Sequence, residues 1–219
     1  MKKNIIITLI EIFFVLNLNA QKFNIQPGIT LGASYYLGDL NHTKQFYSPG
    51  FTAGITLRHR ISNHYAVKIN ILRVPFSGND ANFPSIYQQL RGHSFKNVIY
   101  ELGAQYEINF LSYNSFTKKS QTPYLTLGFG IAAANSFQII TPVIPMGIGY
   151  KYSPVKKMTV SAEWCFRNTF TDKLDLLEQT NPYQKQLTKT KNNDWYSIAG
   201  ITITYNLQSE KKWCPAYQK

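Results

Sequence analysis

Residues 98–110 read VIYELGAQYEINF. Val98, Tyr100, Leu102, Ala104, Tyr106, Ile108 and Phe110 share one parity, while Glu101, Gly103, Gln105, Glu107 and Asn109 share the other. Side chains of a strand point alternately to opposite faces, so the stretch predicts a β-strand with one apolar and one polar side. Two carboxylates on one face cannot lie against lipid at tolerable cost. If the strand crosses a membrane, that face lines a lumen.

The same two-residue period returns along the chain. Residues 194–207 set Trp195, Ala199, Ile201, Ile203, Tyr205 and Leu207 against Tyr196, Gly200, Thr202, Thr204 and Asn206. Near the start, Ile29, Leu31, Ala33, Tyr35 and Leu37 alternate with Gly28, Thr30, Gly32, Ser34 and Tyr36. In all, eight segments are predicted, near 22–38, 49–60, 64–74, 93–110, 122–135, 143–153, 157–168 and 194–207. Repeated alternation with 15 Tyr and 14 Phe is the signature of a transmembrane β-barrel. The expected fold is therefore all-β, an eight-stranded antiparallel transmembrane barrel.

The connections follow the rhythm of such barrels, which have short periplasmic turns and longer extracellular loops. Those near 61–63 and 153–156 are tight and that at 111–121 is moderate. Those at 39–48, 75–92 and 169–193 are long, and that near 136–142 is intermediate. With an even strand count both mature termini are expected in the periplasm. A soluble lipocalin-like barrel would turn its apolar face inward. Against it, Arg58, Arg60, Lys68, Glu101, Glu107, Glu163 and Arg167 all fall on the polar face, a poor lining for an apolar ligand. Their opposite charges are expected to pair and fill the narrow interior, leaving no open pore.

The N-terminus reads as a signal peptide over 1–20. Lys2 and Lys3 precede an apolar run from Ile5 to Leu18, and Ala20 supplies the small residue at the cleavage point. The barrel then occupies 21–207, with a periplasmic tail at 208–219. Removing Lys2, Lys3 and Glu11 from 23 basic and 11 acidic side chains leaves 21 and 10, a formal charge of +11. The basic pairs Lys118-Lys119, Lys156-Lys157 and Lys211-Lys212 fall in turns or the tail, where they meet anionic head groups or an acidic partner rather than nucleic acid.

The residues offer no catalytic centre, metal site or cofactor. His42, His59, His64 and His93 lack metal-ligand spacing, and His42 or His93 with Ser94 is no more than a solvated loop. Gly128, Gly130, Gly147 and Gly149 sit within strands, as close packing in a barrel wall rather than phosphate loops. Of the two cysteines, Cys165 has lumen parity near the outer rim and Cys214 lies in the tail, too far apart to bridge. Cys214, beside Trp213, is therefore expected to serve a periplasmic partner, with Lys211 and Lys212 in the same contact.

Several stretches carry a resemblance: SYYLGDLN at 34–41, FKNVIYE at 95–101, Thr122-Pro123-Tyr124, FRNTFTDKLD at 166–175 and NDWYSIAGITITY at 193–205. Together they resemble the PorG-like outer-membrane proteins of the type IX secretion system of Bacteroidota. The resemblance implies a non-enzymatic barrel that works with a ring-forming periplasmic lipoprotein and its partner, in secretion and, in gliding bacteria, motility. It carries over Gly38, Asp39, Arg167, Thr171, Asp172, Asp194 and Trp195, at strand-to-loop edges. There, Asp39, Arg167, Asp172 and Asp194 are expected to cross-link the loop bases through charged hydrogen bonds, with Trp195 beside them. The competing expectation is a small surface barrel whose long loops bind host or matrix molecules.

Overall fold

The computed structural model describes residues 24–38, 41, 44–83, 86–171, 174 and 193–208. Eight strands run in chain order around a closed barrel: β1 (Ile25–Leu37), β2 (Gly50–Arg60), β3 (Tyr65–Asn79), β4 (Ser94–Asn109), β5 (Gln121–Ala134), β6 (Ile139–Tyr152), β7 (Met158–Thr169) and β8 (Trp195–Tyr205). Every neighbouring pair is antiparallel. β1 closes on β8 through the register Gly28↔Thr204 to Leu37↔Trp195. Closure satisfies the backbone of every strand internally, the condition for crossing a bilayer with strands.

The two-residue period decides which way the wall faces. Leu102 and Leu127 are 54% and 60% exposed, whereas Glu101 and Glu107 inside the barrel are 1% and 0% exposed. The apolar parity points out and the polar parity in, the inverse of a soluble barrel. Ile29, Ile55, Ile71, Ile131, Ile148 and Ile201 continue the outer apolar band. Aromatic side chains edge it at both ends: Tyr65, Phe110, Tyr150, Tyr152 and Tyr205 toward the short turns, and Phe51, Tyr100, Phe137 and Phe170 toward the long loops. Such girdles mark the two interfaces of a membrane barrel.

Two strands run further than the sequence reading places them. β3 continues through Pro75 to Asn79, and β6 begins at Ile139, so only 135–138 join β5 to β6 in a tight turn. Each sequence-based limit stands at a proline, Pro75 and Pro142. Pairing of β3 with β2 ends at Ala53↔Arg73, below Pro75, so the missing amide proton costs no bond on that side. Around Pro145 the β5–β6 ladder lapses opposite 128–129 and resumes in the same register at Gly130↔Val143. The β3–β4 connection is itself structured, with a 3-10 turn (Asp80–Asn82) and a short helix α1 (Ile86–Arg91).

The lumen has two halves. The expected mixture of charge fills the half toward the short turns, but the half toward the long loops is apolar. There Tyr36, Phe76, Phe95, Ile99, Val143 and Tyr196 pack together, with Tyr36 stacked on Phe76 at 5.9 Å and edge-on to Phe95 at 5.2 Å. Leu174, from the β7–β8 loop, is fully buried among them.

Candidate functional site

Inside the polar half, strand parity brings side chains from seven strands onto one axis. Glu107 on β4 is the hub: its carboxylate meets Arg58 Nε at 3.0 Å, Lys151 Nζ at 2.6 Å and Lys68 Nζ at 3.8 Å. Lys68 also donates to Glu163 Oε2 at 2.5 Å, and the Tyr124 hydroxyl donates to the same oxygen at 2.7 Å. Arg58 spans the barrel further, to Thr204 and Ser161. Gly149 makes room for this layer: a Cβ there would lie 2.5 Å from the Tyr124 ring. Above it, Arg167 Nε donates to Glu101 Oε2 at 2.8 Å, and the Tyr196 hydroxyl donates to the same oxygen at 2.6 Å.

Buried charges are tolerated when paired and hydrogen-bonded, and these are. The void beside Lys68, Glu163 and Arg167 measures about 20 Å3, room for a water but not for a solute. The arrangement braces the wall and blocks the axis. Among the described residues, no group of three His, Cys, Asp or Glu side chains could hold a metal ion.

The short-turn end is stoppered by the β4–β5 connection. Tyr113, Ser115 and Phe116 are buried there. Tyr113 donates to Thr159 at 2.8 Å, and Asn206 donates to Ser115 at 3.1 Å. Arg60 lies over the Phe116 ring and donates to Asn114 at 2.7 Å. This connection is stitched to the β6–β7 turn by three backbone bonds: Lys119 N to Ser153 O at 2.9 Å, Ser153 N to Ser120 O at 2.8 Å and Lys157 N to Ser115 O at 2.7 Å.

The stitching gathers Lys118, Lys119, Lys156 and Lys157 onto one surface, the first three exposed and the fourth half-buried. Every described carboxylate lies elsewhere: Glu101, Glu107 and Glu163 inside the barrel, Asp80 and Asp194 at the long-loop end. The short-turn face is thus a basic platform with no acid on it among the described residues.

The residues singled out in the sequence separate into three groups. Arg167 is buried, and its carboxylate partner is Glu101 rather than Asp194. Asp194 accepts from the Tyr36 hydroxyl at 2.5 Å and from Leu174 N at 3.0 Å, tying β1 to the β7–β8 loop. Trp195 stands on the outer parity beside Leu37 and Asn168. Asp39, Asp172, the 1–20 segment, Lys211, Lys212, Trp213 and Cys214 lie outside the described residues. Cys165 is a buried free thiol facing the lumen, with Gln105 Nε2 3.4 Å from its sulfur. Lys151 carries no sequence expectation, and Tyr124 enters only through the resemblance, without a role in the lumen. Parity was their signal, since Tyr150 and Tyr152 flank Lys151 on the outer face as Pro123 and Leu125 flank Tyr124. Tyr113 and Ser115, in an aperiodic connection, left no such signal.

Residues 3–216 match the family described as Domain of unknown function (DUF6089). The chain belongs to the DUF6089 family. Among solved structures this DUF6089 chain is similar to Neisserial surface protein A, at 13% identity and a TM-score of 0.50 over 84% of this chain and 97% of that one. It is also similar to the N-terminal β-barrel domain of Pseudomonas aeruginosa OprF (8%, TM-score 0.45, 84% and 100%). A third is Ail, the attachment invasion locus protein of Yersinia pestis, solved with the heparin analogue sucrose octasulfate (13%, TM-score 0.39, 84% and 97%). No curated protein matches the chain in sequence. The likeness to Neisserial surface protein A is one of fold. With its exposed apolar band, the closed barrel of the DUF6089 chain is a small membrane-spanning β-barrel.

Proposed function

We propose that the barrel is a non-enzymatic component of the type IX secretion machinery, and of gliding motility where that machinery drives it. In this reading it docks a ring-forming periplasmic lipoprotein at its short-turn end. The observation that carries the reading is the basic platform of Lys118, Lys119, Lys156 and Lys157 on two turns bound rigidly to one another. A plugged barrel offers its ends and not a channel, and a cationic face with no carboxylate among the described residues favours an acidic protein surface. Both mature termini are then periplasmic, and Lys211, Lys212, Trp213 and Cys214 extend the same contact, Cys214 through a disulfide to the partner.

Reversal of the four lysines to glutamate, in cells that depend on the protein for secretion, tests the reading. The expected result is a barrel that still shifts with heat on gels but no longer cross-links to the ring lipoprotein, with secretion lost. Normal secretion by this variant would overturn it. The disulfide is tested separately by Cys214→Ser on non-reducing gels, where a reductant-sensitive higher band should vanish.

One observation favours the surface-binding alternative: on α1, Ile86 and Leu90 are 75% and 83% exposed, an apolar pair offered at the long-loop end. Under that alternative Ile86→Ser with Leu90→Ser abolishes binding to host or matrix molecules and leaves secretion intact.

A further inference from the structure

The outward positions of the eight strands are apolar, aromatic or uncharged polar, with two cationic exceptions, Arg73 and Lys96. Both are exposed. They stand on adjacent strands, Arg73 opposite Tyr100 and Lys96 opposite Ser77, and neither has a carboxylate partner among the described residues. A cation on the lipid face is costly at the midplane and tolerated at the interface, which places this pair at the head-group level of the long-loop rim. Lys96 lines a cavity of about 520 Å3 at the long-loop rim, with Pro75, Ser77, Val98, Tyr100 and Ser136, and Arg73, opposite Tyr100, stands at the level of its lower edge. Phe137 stacks on Tyr100 at 5.5 Å. The floor leads down the outer wall to Ile71 and Leu102, both exposed.

We propose that this cavity is a binding site for a phosphate-bearing membrane lipid. Four residues of strand separate the levels of the two cations, about 13 Å at a strand's rise, a span for a lipid head group rather than for one phosphate. The phosphate-bearing head group reaches from the Lys96 ammonium at the cavity to the Arg73 guanidinium below it, whose planar fork suits a phosphate oxygen pair. The hydroxyls of Ser77 and Ser136 stand at the same rim. An acyl chain follows Val98 and Tyr100 down to Leu102. The site is independent of the platform at the opposite end and of the secretion reading.

The test is native mass spectrometry of the barrel in neutral detergent with lipid A bearing its phosphates, with the same lipid after phosphate removal, and with inorganic phosphate alone. The wild type is expected to retain the phosphorylated lipid in preference to the dephosphorylated one and to ignore free phosphate at equal concentration. The Arg73→Gln, Lys96→Gln double variant should weaken retention by about 5-fold per cation, roughly 25-fold together. A Lys44→Gln variant, at an exposed cation outside the cavity, should match the wild type. Equal retention of both lipid forms means annular lipid only and overturns the site. So does an equal loss in the Lys44 variant, which means non-specific charge attraction. Capture of free phosphate in place of the lipid overturns the lipid assignment. Both variants change exposed side chains, and the heat-shifted band on gels confirms that each barrel is folded.

Discussion

Glu107 is ion-paired with three cations on three strands and is fully buried, so its removal is felt around the barrel. Glu107→Gln keeps the shape but leaves Arg58 and Lys151 without their carboxylate. Breaking a buried pair by neutralising one partner costs about 3–5 kcal/mol, and urea unfolding in lipid vesicles should report a loss of that size. An unchanged midpoint would mean that water reaches the layer. Tyr113 gives a second reading at this scale, outside the strands. Burial raises its phenol above the ordinary tyrosine value. The neutral phenol is the form that donates to Thr159, so its stabilising effect is complete below the unfolded-chain value, about 10, and is lost as the pH rises through the raised folded value. The phenolate absorbance of Tyr113, isolated by difference against Tyr113→Phe, should emerge later in alkaline titration than that of the exposed tyrosines.

Among the elements, the β4–β5 connection has the clearest separate role, because it inserts Tyr113, Ser115 and Phe116 into the barrel mouth. Replacing 112–118 by a short glycine-containing turn removes that stopper and the stitching to the β6–β7 turn. The barrel is expected to remain folded, with a lower thermal midpoint, because eight closed strands and the Glu107 layer survive. Planar bilayers should show no new conductance, since the ion-paired layer above still fills the axis; channel openings would mean that the stopper is the seal. The strands themselves were legible wherever one face met lipid and the other the lumen, as in β4 and β8. β3 and β6 reach past the limits read from sequence, through Pro75 and Pro142. A barrel accommodates each proline where pairing with one neighbour has ended, β3 with β2 at Arg73 and β6 with β7 at Val143, which depends on the neighbouring strand and not on local sequence. The stopper was illegible for a related reason: its burial comes from tertiary bonds to Thr159 and Asn206, distant in the chain.

For the whole molecule, the decisive property is the asymmetry between its ends. The long-loop end carries the apolar lumen, Asp80 and Asp194, and the exposed α1; the short-turn end carries the stopper and four lysines. The charges of the lumen were legible from parity, but its apolar upper half was not, because Tyr36, Phe76 and Tyr196 come from three strands and Leu174 from a loop, and only closure of the barrel brings them together. Orientation follows from neither parity nor packing, yet the docking reading depends on it: the platform meets a periplasmic ring only if the short turns face inward. Single cysteines introduced as Lys118→Cys and Leu90→Cys, in a Cys165→Ser, Cys214→Ser background, separate the two cases because both positions are exposed and bear no fold-determining bond. With a membrane-impermeant maleimide on intact cells, position 90 should label fully and position 118 only after the outer membrane is opened. The reverse pattern would put the basic face on the cell surface, where it could bind acidic external molecules but could not reach a periplasmic partner.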